Sequence, residues 1–389
     1  MGDRAHEDRA KILGLPTCLS SKSLLVSWGS RSRTMPAILV LAVFGLLIAV
    51  MLWARAQRTK KEVAYGSFEE GVKVSQSELS IKPLPEFDWE AIEPQQFRPF
   101  KPIYYITMAV RSTTPSDLIV IDRNYLSRIQ GRKVTMTDHA NHTLGCLPSG
   151  VEAVQEVYSY LLGEYLPTRY PTLFSRDSKC FRNTVTATSL PLIPPNDPIA
   201  ALRSIGETVE DDMFFLQETP EGHQCIAFVC CCPSGFDPAT KLGKGLKDIH
   251  KPVPSYEKIG PSMERYFRRL EVGQSACRVN WSVTTDPTLF NVSGNHVKPG
   301  DEFEEDMDVD IDKARVRMEL QTLTRMPKTR AILFSFKTYL YPVEEIKAEG
   351  LGPDLADAIA GLKAGNAPGM WVYKGGVRWG KSVCEYLRS

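Results

Sequence analysis

The chain has 389 residues, 43% hydrophobic and 24% charged, with a formal net charge of +1. That is enough apolar material for one large core or two modest ones. The near-neutral balance argues against a nucleic-acid protein, because phosphate binding needs a concentrated basic surface. Nine cysteines, at 18, 146, 180, 225, 230, 231, 232, 277 and 384, form no CxxC pair. They read as a thiol inventory rather than a disulfide framework or zinc site, and they lean towards a reducing compartment.

Residues 1–34 are polar and lack hydrophobic periodicity, which predicts a disordered tail. Asp3, Glu7 and Asp8 speak against a mitochondrial transit peptide. From Met35 to Ala54 the chain carries no charge, and about twenty helical residues at ~1.5 Å each reach about 30 Å, a bilayer's thickness. The expectation is a single transmembrane helix over 35–54. A cleaved signal peptide would have a shorter apolar region nearer the start, whereas here Trp53 is followed by Arg55, Arg58, Lys60 and Lys61. That basic cluster suits the cytoplasmic side, so the sequence predicts a single-pass membrane protein, of the endoplasmic reticulum, with a cytosolic C-terminal domain. Lys22, Arg31 and Arg33 weaken the asymmetry. Residues 55–97, with Pro83, Pro85 and Pro94, read as a basic and proline-containing tether, and 98–389 as the folded domain.

Within the domain, YYITMAV from Tyr104 suggests a first strand, and DLIVIDRNY sets an apolar run against Asp122 and Arg123. Residues 149–166 make the best helix. Ser149 and Glu152 have capping-box spacing, apolar residues recur from Val151 to Tyr165, and Gly163 and Pro167 mark the end. LPTRYPTLF then presents Arg169, which reads either as a partner for an anion or as a cap on backbone carbonyls.

Met213–Leu216 and Cys225–Cys232, joined by ETPEGH, predict a hairpin. CIAFVCCC shows no polar alternation, which implies burial on both faces. Neighbouring residues on a strand point to opposite faces, so its three thiols cannot converge on one ion. PSGFDPATKLGKGLKDIHKPVP follows as a loop, and Pro261 suits the start of a short amphipathic helix, SMERYFRRL. RVNWSV, ARVRMELQTL and AILFSFKTYLYP predict three further strands, the last two joined by the MPKT turn. In the second, Val316, Met318 and Leu320 alternate with Arg315, Arg317, Glu319 and Gln321. The acidic run DEFEEDMDVDID lacks the glycine and terminal glutamate of an EF-hand at the required offsets. Helical residues from Val343 to Leu362 close the domain.

Two patterns bear on chemistry. GGVRWGKS matches the P-loop pattern, but a P-loop needs a following helix and further parallel strands, and the sequence given runs only to Ser389. Among six histidines, His250 stands apart because the Lys-Pro-Val-Pro segment after it restricts the backbone and holds the ring. A structural histidine bonded to backbone and a metal or haem ligand both remain open readings.

LPTRYPTLF, the VEDD segment with its cysteine-rich strand and PSGF, KLGKGLKDIHKPVP, RVNWSV and VRMELQTLTRMPKTRAILFSFKTYL occur here in one order. In that order, over roughly residues 98–345, the chain resembles the α-subunit of haem-dependent oxidative N-demethylase, or dimethylamine monooxygenase. The resemblance implies an α+β, PAS-like fold, an antiparallel sheet with flanking helices that holds haem b. It also implies oxidation of a small amine with O2, with electrons from NADPH arriving through a separate flavin and iron–sulfur reductase. Carried onto this sequence, it makes His250 the candidate axial ligand to the haem iron. Lys241, Arg278 and Arg169 become candidates for the propionates, and Glu319, Arg317 and Asp212 for a polar distal pocket. The alternative is a non-catalytic PAS-like module that binds or senses haem or a small ligand.

Overall fold

The computed structural model describes residues 80–98 and 100–389. Ten strands run in chain order: β1 (Arg111–Thr113), β2 (Leu144–Cys146), β3 (Phe174–Arg176), β4 (Cys180–Asn183), β5 (Thr188–Pro191), β6 (Asp212–Thr219), β7 (Gly222–Val229), β8 (Ser275–Thr284), β9 (Arg315–Arg325) and β10 (Ile332–Pro342). Seven of them form one antiparallel sheet in the order β1-β8-β9-β10-β6-β7-β2, and β3-β4-β5 form a small second sheet. Long β8, β9 and β10 sit beside the β6–β7 hairpin, so the two segments richest in β-branched and aromatic residues meet at the centre.

Both faces of the sheet are covered. On one, Ile129, Val154, Val157, Leu161 and Leu202 pack against Met213, Phe215, Ala227 and Leu333. These come from helices Tyr125–Asp138, Val151–Tyr160 and Pro198–Gly206 and from the continuation at Leu161. The C-terminal helices Gly352–Ala360 and Gly376–Arg388 cover Val316, Met318 and Tyr339. The other face carries Phe214, Phe228, Leu323 and Phe336, packed against Leu246, Met263 and Phe267. The alternation in β9 thus does not separate core from solvent, because its polar side is enclosed as well.

Several expectations are corrected by local hydrogen bonding. Residues 104–110 form no strand, because the backbone of Ile106 is held by the Asn366 side chain, N–H to Oδ1 at 2.8 Å and Nδ2 to carbonyl at 3.2 Å. The apolar run at 118–121 is a buried loop: the Tyr170 hydroxyl donates to Ile119 O at 2.7 Å, and Lys337 Nζ donates to Val120 O at 2.9 Å. The helix at 151 starts without a side-chain cap and passes Gly163 in a π turn, Leu161–Tyr165, before its last turn, Leu166–Arg169. Pro167 sits directly after the π turn, at the start of that last turn. The three cysteines lie beyond the end of β7, where the Asp212 carboxylate accepts the backbone N–H groups of Cys231 and Cys232, both at 2.7 Å. GGVRWGKS has no strand before it, and its Gly-Lys-Ser lies within helix Gly376–Arg388, so no phosphate loop forms.

A further correction concerns the membrane. Among the described residues no helix is long and apolar enough to cross a bilayer, and the expected span at 35–54 lies outside them. The described residues thus form a large antiparallel sheet with flanking helices, and none of them forms the expected transmembrane helix. Nothing among the described residues supports a single-pass protein of the endoplasmic reticulum membrane. The segment expected as a polar tail, 1–34, and most of the expected tether also lie outside the described residues.

Candidate functional site

Register decides which residues share a face. Asn280 pairs with Glu319, Arg278 with Gln321, Leu323 with Phe334, and Phe214 with both Phe334 and Phe228. Alternate residues along each strand point the same way, so the sheet presents a polar strip on β8 and β9 beside an aromatic strip on β10, β6 and β7. Over this face lies a cavity of about 300 Å³, roofed by residues of the 104–110, 234–267, 296–298 and 370–374 segments.

His250 lines the cavity. It caps the helical turn Leu246–Ile249, and its Nδ1 lies 2.8 Å from Leu246 O. A carbonyl only accepts, so Nδ1 carries the hydrogen and the neutral ring leaves Nε2 as a bare lone pair. The ring stacks on Tyr256 at 4.7 Å between centroids, with planes 5° apart. Burial pushes its pKa below the usual 6.5; the Leu246 bond opposes this, while Lys241 and Arg278 add to it. The Leu246 bond and the Tyr256 stack hold the ring in place.

Lys241, Arg278 and Glu319 line the same cavity. Lys241 donates to Ile249 O at 3.3 Å and lies 5.5 Å from the Phe236 ring centroid. Arg278 Nε is buried without a hydrogen-bond partner, and burial lowers its pKa against the pull of Tyr104 and Glu319. Glu319 Oε2 accepts from Gln321 Nε2 at 2.9 Å and Asn280 Nδ2 at 3.3 Å.

Arg317, Asp212 and Arg169 are not among the lining residues. Arg317 is fully buried, donates to the carbonyls of Cys232 and Leu289, and holds its Nε 3.9 Å from Glu319 Oε1. Asp212 pairs with Arg132 at 2.6 Å and pins the cysteine turn. Arg169 donates to Lys82 O at 2.7 Å, the backbone-capping reading.

The cavity also contains residues that sequence reasoning passed over. His296 stacks on Tyr373 at 4.5 Å, and burial, with Lys374 and Lys298 nearby, drives its pKa down to about 3. Gly235 has φ +70°, and a Cβ there would stand 2.6 Å from His296 Nδ1, so the close approach requires glycine. Lys298 and Lys374 complete a set of cations, with Lys241 and Arg278, facing a single carboxylate, Glu319. His296 lies in a polar, turn-like stretch, and nothing in that stretch signals contact with residues near 373.

Apart from the lining residues at 104–108, the arrangement falls inside one family match. The family model described as haem-dependent oxidative N-demethylase, alpha subunit-like, matches residues 109–384. The chain belongs to that family. The match extends the resemblance past residue 345 through the C-terminal helices, which also supply Met370, Tyr373 and Lys374 to the cavity. Among the described residues no cluster of three or more His, Cys, Asp or Glu stands ready to hold a bare metal ion, and the eight described cysteines are free. Haem iron makes a smaller demand, one axial side chain from the protein.

Proposed function

We propose that the chain binds haem b in this cavity with His250 Nε2 as axial ligand, and acts on a small amine as the haem-bearing part of an oxidative N-demethylase. The observation that carries this reading is the fixed tautomer of His250. Imidazoles that ligate metals characteristically donate their other N–H to a carbonyl or carboxylate, which orients the ring and raises its basicity. Leu246 O is such an acceptor.

The rest of the cavity suits the group. Phe214, Phe334 and Phe336 offer a flat apolar surface to a porphyrin. The orphaned Arg278 Nε and the Lys241 ammonium suit propionate carboxylates, for which charge-assisted hydrogen bonds are the strong form. Bound haem would supply the redox and O2 chemistry. The protein's own part is to hold the imidazole neutral, exclude water with the aromatic wall, and orient a small polar substrate against Glu319, Asn280 and Gln321. Arg317 supports Glu319 from behind, and Asp212 and Arg169 act at a distance by fixing backbone. The sequence has no ferredoxin-type cysteine spacing, so electrons would come from NADPH through a separate flavin and iron–sulfur protein.

The test is haem titration of the purified full chain, followed by NADPH-driven formaldehyde release from methylated amines with a reductase supplied. A stoichiometric Soret band and formaldehyde are expected. Failure to form the band sinks the reading, while a band without formaldehyde points to a haem-binding or sensing module.

A further inference from the structure

Lys374 is buried in the cavity wall at the end of the helical turn Met370–Tyr373, only 4% exposed. Its Nζ donates to Trp281 O, and it lies 5.6 Å from the Tyr104 ring centroid and 5.5 Å from that of Trp281. Among the described residues it makes no ion pair. The charged or titratable groups around it are Arg278 on β8, Glu319 on β9, and His296 and Tyr104 from the covering segments. Glu319 is already engaged by Asn280 and Gln321.

We propose that Lys374 is a carbonyl-capturing amine, which forms an imine with a small aldehyde inside the cavity. Taking formaldehyde as the aldehyde rests on the N-demethylation reading; the reactivity of the amine does not. Burial, with Arg278 adding to it and Glu319 opposing it, lowers the Lys374 pKa to about 8. At pH 7 roughly one in ten such side chains is neutral, against fewer than one in a thousand for an exposed lysine near 10.4. The hydrogen bond to Trp281 O holds the nitrogen while leaving its lone pair in the neutral form. That lone pair adds to the carbonyl carbon as the C=O π pair moves to oxygen. A proton passes from nitrogen to oxygen to give a carbinolamine, and loss of water leaves the C=N bond. Lysines desolvated in this way are the ones that serve as nucleophiles towards carbonyls.

The experiment is reductive trapping of the full chain at pH 7 with substoichiometric deuterated formaldehyde and cyanoborohydride, which delivers hydride to the imine carbon. Peptide mass mapping reads the methylated positions. Lys374 is expected to label at least about 10-fold faster than exposed lysines. Lys374→Arg, which keeps the charge and a donor for Trp281 O, is expected to abolish that fast phase and to leave the Soret band in place. Labelling of Lys374 no faster than exposed lysines, or a fast phase that persists in the Arg variant, overturns the proposal. Because no step needs bound haem, loss of the Soret band in the wild-type chain would count against the haem reading alone.

Discussion

Lys337 and Lys374 are both buried, 3% and 4% exposed, yet they sit in opposite electrostatic situations. Lys337, on β10, faces away from the cavity and holds Asp122 at 2.7 Å and Glu210 at 2.8 Å. Burial works against its charge, but the two carboxylates outweigh it and raise its pKa. Lys374 has no such partner, and its pKa falls. Burial alone therefore does not decide the state of a lysine; the count of carboxylates around it does. One side of the sheet is charge-compensated and structural, while the other keeps an excess of cations beside an apolar wall, the condition for holding an anionic group.

The largest effect expected from that contrast is on stability. Lys337→Met would strand Glu210 and Asp122 and should cost about 3–5 kcal/mol in urea unfolding. Lys374→Met strands no paired carboxylate and should cost less than about 1 kcal/mol. Equal losses would erase the distinction. Next in size, Arg278→Leu should weaken haem binding by about 10- to 100-fold, the value of a charged hydrogen bond. Arg169→Leu should leave haem affinity unchanged and lower stability only.

The two sides should also respond to pH with opposite sign. His296 has a folded pKa of about 3 against an ordinary 6.5. Between those values the unfolded chain takes up a proton that the fold refuses, so stability falls as pH drops, by up to about 1.4 kcal/mol per pH unit. Asp211 is pushed up to about 7 by burial and Glu210, against Lys337, Arg132 and a Ser335 hydrogen bond. From its ordinary 3.8 up to that value the fold keeps a proton that the unfolded chain has lost, so stability falls as pH rises. The two slopes oppose each other from pH 3.8 to 6.5, so wild-type stability should change little there. In urea unfolding, Asp211→Asn should leave stability that falls as pH drops through that range, and His296→Phe stability that falls as pH rises through it. The smallest effect lies away from both groups: Ser149→Ala should change stability by less than about 0.5 kcal/mol, since the helix at 151 has no side-chain cap.

Strand alternation was legible because period-two patterning survives in β9 and β10 whatever covers the sheet. His250 was legible because prolines act locally on the backbone that carries it. The segment at 104–110 misled because its apolar pattern suits a strand, while its backbone bonds to the side chain of Asn366, distant in sequence. The apolar run at 118–121 is buried as a loop by bonds from Tyr170 and Lys337 in the same way. Arg317 and Asp212 show the same limit: the resemblance made them candidates for a distal pocket, but their partners at 232 and 132 hold them off the cavity. His296 and Lys374 could not be read at all, since their burial is a product of tertiary contact alone.

The central claim, that His250 supplies the axial ligand, is tested most directly by comparing absorption spectra of His250→Ala and His296→Ala after haem loading. The account predicts that His250→Ala loses or shifts the Soret band and that added imidazole restores it, while His296→Ala keeps the wild-type spectrum. An unchanged spectrum in His250→Ala, or loss of the band only in His296→Ala, would contradict it.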